Sequence, residues 1–290
     1  MRKIIVSGAS GFLGSNFIDY ALAADIETVA VTSKSGVYPE IVTVNTEDFL
    51  LNGYPCSSED VFINCLFPTN ADGFRMANGL KKVYEMITMA HECGVGALIN
   101  ISSQSVYASK RLAPAKEEDP LCLETPYAVG KFSSEAFVNQ VFSDRPHTNI
   151  RMASLLGVGY DHRIVNRMVD QALKCEQLKV IGGMQRYGFL DVRDAAAGLV
   201  KLAMSNPNTW EETYNLGRNE SSSLIELVEL IADVMKQYGI QIDYEVIDGL
   251  DERNSSIDCN RFMQVFDWRP RIHLRQSLTE ILEEKLTGLR

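Results

Sequence analysis

Apolar residues along the 290-residue chain follow two spacings. Short β-branched runs predict buried strands at 3–7 (KIIVS), 28–32 (TVAVT), 41–44, 60–66 (DVFINCL), 97–102 (ALINIS) and 149–155. Between them, helical spacing takes over. Phe17, Ile18, Ala21 and Leu22 share one face of a helix over 14–24, a long helix over 79–93 closes at Gly94, and a third covers 127–142. Strands alternating with helices imply βαβ units and an α/β fold with a doubly wound parallel sheet. After residue 155 the texture changes. Helices are predicted at 165–174, 194–204, 223–238 and 274–286, with short strands at 179–181, 187–192, 214–216 and 241–247. Asp194 is placed to cap the second of these helices, Ser223 and Glu226 have capping-box spacing, and Gly288 ends the last. The expected division is 1–154 for the sheet domain, with 187–206 returning to it. Residues 155–186 and 207–290 then form a smaller α+β cap.

Composition narrows the partners. Hydrophobic residues make up 46% and charged residues 23%, ordinary for a globular chain, so disorder and coiled coil are excluded as the main architecture. The formal net charge of −10 and the lack of a Lys/Arg-rich run argue against nucleic acid, although a helix N-terminus still accepts a small anion. Cys56, Cys65, Cys93, Cys122, Cys175 and Cys259 form no C-x-x-C pair, so neither a disulfide framework nor a metal site is expected. The basic, then apolar, start is broken by Gly8, too early for a secretory h-region, and no apolar stretch approaches a membrane span. A cytoplasmic protein is expected.

Three segments carry candidate chemistry. Gly8-Ala9-Ser10-Gly11-Phe12-Leu13-Gly14 follows the first strand and opens the first helix. Glycines there allow a tight turn and let backbone N–H groups reach a pyrophosphate, although the spacing is G-x-x-G-x-x-G. In Tyr127-Ala128-Val129-Gly130-Lys131 the tyrosine and lysine lie four apart, on one helical face. An ammonium beside a phenol favours the phenolate and makes it a usable acid/base. Ser102-Ser103-Gln104-Ser105-Val106-Tyr107 ends the fifth strand, and in open parallel sheets ligands bind beyond the carboxyl ends of strands.

In order and interval these segments resemble the extended short-chain dehydrogenase/reductase family, in its NAD-dependent epimerase/dehydratase branch. Residues 151–157 (RMASLLG), 189–194 (FLDVRD), 214–217 (YNLG) and Asp258 leading to 267–270 (DWRP) extend the likeness over nearly the whole chain. The resemblance implies a Rossmann domain with a small substrate domain, and nucleotide-activated sugars as substrates. It makes Gly8, Gly11 and Gly14 pyrophosphate ligands, with Ser10, Phe12 and Leu13 in the same loop, and sets Asp48 near the adenine. Ser103 becomes the catalytic serine, Tyr127 the acid/base, and Lys131 the group that lowers the tyrosine's pKa and holds the ribose. The family's usual homodimer, built on the helices around 79–93 and Tyr127, would take apolar contacts from Met86, Met89 and Phe137.

Departures from the family pattern refine this. The end of the second strand reads Thr32-Ser33-Lys34, with no carboxylate to exclude a 2′-phosphate and a lysine to attract one, so NADP is favoured over NAD. Ser154 stands where an asparagine is expected, and Arg186 lies one position from a phosphate-binding arginine, with Tyr187 in register. Ser105, Ser154, Arg186, Tyr187 and Arg253 are the candidate substrate contacts, with Arg163 and Arg167 further available cations. Gln104-Ser105 replaces the Asp-Glu that a sugar dehydratase uses, which disfavours dehydration. An NAD(P)-dependent epimerase or keto-reductase of a nucleotide-sugar is the expected function. A reductase of a non-sugar carbonyl is the alternative, and a non-catalytic dinucleotide-binding regulator the minor one.

Overall fold

The computed structural model describes residues 2–68 and 73–288. Seven strands form one sheet: β1 (Ile4–Ser7), β2 (Thr28–Thr32), β3 (Val42–Asn45), β4 (Val61–Asn64), β5 (Ala97–Ser103), β6 (His147–Met152) and, much later, β11 (Thr213–Leu216). Their order is β11-β6-β5-β4-β1-β2-β3, parallel throughout, so the chain winds outward in both directions from β1.

Alternation of side chains explains the layers. Ile4 and Val6 point to one face and pack with Phe17 and Ile18 of α1 (Phe12–Ala23), and with α6 (Val192–Met204). Ile5 points to the other face and packs with Phe49 of α2 (Thr46–Asn52), with Met86 and Ile87 of α3 (Gly73–Glu92), and with Val138 of α4 (Pro126–Val141). Every residue of β1, β4 and β5 is buried, as a sheet covered on both faces requires.

The cap has its own core. α5 (Ile164–Leu173), α7 (Leu224–Gln237) and α9 (Leu274–Gly288) bury Val165, Leu227, Ile231 and Ile281 against Leu178 and Val180 of β8 (Leu178–Ile181). Short pairings complete it: β8 with β13 (Tyr244–Ile247), β9 (Arg186–Tyr187) with β12 (Ser222–Ser223), and β7 (Ser154–Leu156) with β10 (Phe189–Asp191).

Four expectations are corrected. Residues 213–216, assigned to the cap, form the seventh strand of the main sheet, and Phe262 of α8 (Asn260–Val265), Phe266 and Trp268 pack into the core beneath it. The strand expected over 149–155 breaks at Ala153. The Ala153 N–H still donates to Leu216, whereas that of Ser154 donates to Gly188, which turns the chain from one sheet into the other. Likewise, the strand expected over 187–192 is two short strands, separated at Gly188. The cap of α6 is Asp191, whose carboxylate accepts the Arg193 N–H, while Asp194 accepts the N–H groups of Arg271 and Ile272. Ser223 and Glu226 do close a capping box.

Candidate active site

The turn from β1 into α1 makes the first half of the site. Gly8 adopts φ +65°, and a Cβ there would meet the backbone of Cys65 and Leu66 at 2.9 Å. At Gly14 a Cβ would lie 2.4 Å from the Gly8 carbonyl oxygen, so α1 starts closer to the loop than any side chain permits. Gly11 caps α1 without a side chain, and the first turn carries no acid. The free N–H groups at this end face the loop uncapped, which fits the pyrophosphate of a dinucleotide. Above the loop, Thr32 donates to the Ser10 hydroxyl at 2.8 Å and accepts the Lys34 N–H, while Ser33 and Lys34 are exposed at the end of β2. Tyr38 donates to the Ala9 carbonyl and pins the loop from outside. Asp48 lies on the exposed side of the first turn of α2, three residues past Asn45, where β3 ends.

β5 and α4 make the second half. The chain leaves β5 through a single turn over 104–106, in which Ser103 Oγ accepts the Ser105 N–H and, at 3.0 Å, the Ser105 hydroxyl. Gln104 points away, accepting from Arg111. Thr125 caps α4 by accepting the Ala128 N–H, and Pro126 opens its first turn, so Tyr127 sits in that first turn, at a fixed helix end. The Tyr127 phenol is held above its ordinary pKa by burial. The Arg163 guanidinium and a hydrogen bond with Ser103 pull it back down. One turn on, Lys131 is only 5% exposed. Its Nζ donates to the Ile101 carbonyl at 2.8 Å and lies 3.8 Å from the centre of the Phe67 ring. Burial brings this ammonium down to about 7, against the pull of Cys65 and Glu135.

Beneath both elements, Glu135 accepts Arg151 through Nε at 3.1 Å and Nη2 at 2.9 Å, and also receives Ser102. Arg151 reaches on to the Tyr107 hydroxyl, which donates to Asn215 of β11. This buried network ties α4, β5, β6 and β11 into one floor, and thereby fixes Ser103 relative to Tyr127.

The family model for the NAD dependent epimerase/dehydratase family matches residues 4–217, most of the chain. The chain belongs to that family. UDP-glucuronic acid decarboxylase 3 of Arabidopsis thaliana is 25% identical over 321 residues, covering 97% of this chain and 88% of that protein. Among solved structures, UDP-glucose 4-epimerase of Thermotoga maritima with UDP-glucose superposes with a TM-score of 0.83 at 17% identity, covering 99% of this chain and 100% of that one. MoeE5 in complex with UDP-glucose and NAD gives 0.82 at 20%, again covering 99% and 100%. The extended short-chain dehydrogenase/reductase resemblance and the doubly wound Rossmann-type fold are thus shown.

This epimerase/dehydratase-family chain brings its cap candidates together in a particular way. Arg186 and Arg253 are neighbours, the Arg186 N–H donating to the Arg253 carbonyl at 2.8 Å. Both guanidinium groups have internal partners: Arg186 donates to Ser221, and Arg253 pairs with Asp251. Tyr187 stacks on Phe189 at 5.8 Å. Ser154 lies on β7, and its backbone, not its side chain, makes the recorded bond. Arg167 is exposed on α5.

Three site residues escaped the sequence reading in their structural role. Phe67 sits edge-on to Tyr127 at 5.5 Å, as well as over Lys131. Tyr160 stacks flat on Phe12, and Arg163 donates to the Tyr160 hydroxyl at 3.1 Å. Phe67 carries no local signal; Tyr160 and Arg163 lie just past the Gly157 of the family pattern, which was the available cue.

Proposed function

We propose that this protein is an NAD(P)-dependent epimerase or keto-reductase of a nucleotide-activated sugar. One observation carries the reading: α4, with Tyr127 in its first turn, packs against β5 and the turn that follows Ser103 at the carboxyl edge of the parallel sheet, and α1 of the same sheet starts with an uncapped N-terminus. The Tyr127 oxygen takes the proton of a sugar hydroxyl as that carbon is oxidised, and returns it to the carbonyl oxygen on reduction. Ser103 Oγ holds the reacting oxygen in line. The bound nicotinamide supplies hydride exchange at the carbon. Epimerisation requires the keto-sugar to turn its other face before reduction, whereas a reductase stops after one reduction.

Ser10, Thr32, Ser33 and Lys34 would receive the adenosine ribose, with NADP preferred to NAD. The support is a segment of hydroxyls and an ammonium without a carboxylate. Asp48 and the loop residues Phe12 and Leu13 complete the cofactor site. Lys131 lies at its inner end, where the ribose would meet it. Arg186, Tyr187, Arg253, Ser105 and Ser154 form the substrate wall, the two arginines exchanging their internal partners for phosphate oxygens. A homodimer through α3 and α4 is part of the same reading. Its surface residues are Tyr84, Val129 and Phe132, because Met86 is fully buried within its own subunit. Phe137 instead packs edge-on against Tyr84. No helix among the described residues is long and apolar enough to cross a membrane.

The test is a thermal-shift screen of UDP-, GDP-, CDP- and dTDP-sugars with NADP or NAD present. A ligand at ~100 times its Kd adds about 2.7 kcal/mol, a clear rise in melting temperature. The reading expects a shift with one activated-sugar class. If none shifts and a simple ketone is reduced, the non-sugar carbonyl reductase replaces it.

A further inference from the structure

Lys131 is a buried cation that forms no ion pair with a carboxylate among the described residues. Glu135, one turn further along α4, gives both its oxygens to Arg151. A charge taken out of water must be compensated, or the group sheds it. Two contacts meet the ammonium instead. The Ile101 carbonyl accepts from Nζ at 2.8 Å, and Nζ lies over the face of the Phe67 ring, 3.8 Å from its centre. The other cation–ring approaches among the described residues are 5.0 to 5.8 Å, so this one alone is a close contact. The ring is held in place from several sides. The chain leaves β4 by way of Cys65, whose N–H donates to the Ser7 carbonyl, and the Phe67 ring then meets Tyr127 edge-on at 5.5 Å. Pro68 follows, packed so closely on α3 that a Cβ at Gly79 would lie 2.4 Å from its own. A Cβ at Gly130 would come 3.1 Å from Phe67 Cζ, so the glycine between Tyr127 and Lys131 gives the ring its seat on α4.

We propose that Phe67 is a positioning residue of this active site: its ring face stands in for a counter-ion, keeping Lys131 charged and fixing the direction of its N–H groups. The electron-rich face of an aromatic ring attracts a cation, most strongly where both are desolvated. Burial brings the ammonium down to about 7, and the ring works in the opposite sense by favouring the charged form. The titratable groups around the ammonium are Tyr127 and Glu135 of α4, Cys65 at the end of β4, and Arg163 before α5. An ammonium has three donors. Ile101 takes one and the ring covers a second direction, which leaves the third for a hydroxyl of the bound ribose. A charged Lys131 also favours the Tyr127 phenolate, so Phe67 acts on the acid/base through the lysine.

The inference rests on the proposed roles of Tyr127 and Lys131, but its test needs neither substrate nor dinucleotide. Lysine labelled with 13C at Cε reports each ammonium by NMR, and the resonance missing from Lys131→Met identifies Lys131. The midpoint of that resonance is followed against pH in the free protein. Phe67 is then replaced, by site-specific incorporation, with mono-, tri- and pentafluorophenylalanine. These rings nearly keep the shape of phenylalanine, while fluorine progressively withdraws electron density from the face. The Lys131 midpoint is expected to fall stepwise along the series, by roughly half to one unit at the pentafluoro ring. That fall cuts the charged-to-neutral ratio about three- to tenfold. Circular dichroism confirms that each protein is folded. A packing role for Phe67 would leave the midpoint level across the series, and a level or rising midpoint overturns the proposal. Either result leaves the nucleotide-sugar reading standing, since the thermal-shift screen and the turnover of Tyr127→Phe decide that reading.

Discussion

Phe12 and Tyr160 stack face to face at 3.9 Å, joining the glycine-rich loop of the sheet domain to the loop that enters the cap. The contact joins the first turn of α1 to the segment before α5. Phe12 also fills the space beside Gly157, where a Cβ would lie 3.2 Å from its ring. An aromatic pair of this kind contributes about 0.5–1.5 kcal/mol beyond the area it buries. Tyr160→Ala should therefore lower stability by about 1 kcal/mol in urea denaturation. It should also raise KM for the sugar substrate more than it lowers kcat, because the loop that carries Arg163 loses its support. Unchanged stability and unchanged KM would remove the stack from both roles.

Tyr127→Phe removes only the phenolic oxygen. Turnover is expected to fall by ~100- to 10,000-fold, with dinucleotide affinity by calorimetry nearly unchanged. Ser103→Ala should lose less, because Ser103 orients the reacting oxygen and transfers no net proton. A Phe variant with near-normal kcat would exclude Tyr127 as the acid/base.

Lys34 is exposed at the end of β2, one residue from the Ser33 hydroxyl, and its N–H is bonded to Thr32. Calorimetry should show NADP binding more tightly than NAD, and Lys34→Ala should narrow the gap by about 1 kcal/mol, the scale of an exposed charge pair. Tighter NAD binding with a silent Lys34→Ala would reverse the cofactor preference.

Asp191 holds the junction between sheet domain and cap. Its carboxylate accepts Arg193 through backbone and side chain and the Ser277 hydroxyl of α9 at 2.7 Å. These bonds hold its pKa below the ordinary carboxylate value despite burial. A depressed folded pKa means that the contribution is fully present above the unfolded value near 3.9 and is lost as pH falls through the folded one. Asp191→Asn should thus cost about 2 kcal/mol at neutral pH and flatten the acid limb of the stability curve below pH 4. Equal acid sensitivity in the variant and the parent would contradict this.

Much of this architecture was legible because strands buried on both faces read as continuous apolar runs. Residues 28–32 were delimited without error, and the other main-sheet strands to within a few residues. Short elements were not legible. α2 spans seven residues and α8 six, too few turns for a helical period to declare itself. The assignment of 213–216 to the cap failed for a different reason. Tyr-Asn-Leu reads as a strand, but which strand it pairs with depends on β6, over sixty residues earlier, and no local pattern encodes that partner. The site shows the same division. Gly8–Gly14 and Tyr127–Lys131 are local in sequence and were visible as motifs. Phe67 over Lys131, and Tyr160 against Phe12, are contacts between segments that only folding brings together.

The outward faces of α3 and α4 expose Tyr84 at 41%, Val129 at 46% and Phe132 at 37%. Beneath them, Phe137 meets Tyr84 edge-on at 5.2 Å, so the two helices already share an aromatic seam that continues to the surface. Apolar side chains grouped across two adjacent helices are the kind of surface a partner covers, whereas isolated ones need no explanation. A second copy is the partner proposed, related by a two-fold axis so that the same patch serves both subunits. Light scattering at micromolar concentration should report twice the chain mass. Val129→Glu together with Phe132→Glu places four charges in the contact, two from each subunit, and should yield a folded monomer with its circular dichroism retained. A parent protein that stays monomeric at high concentration would show that this face serves no self-association.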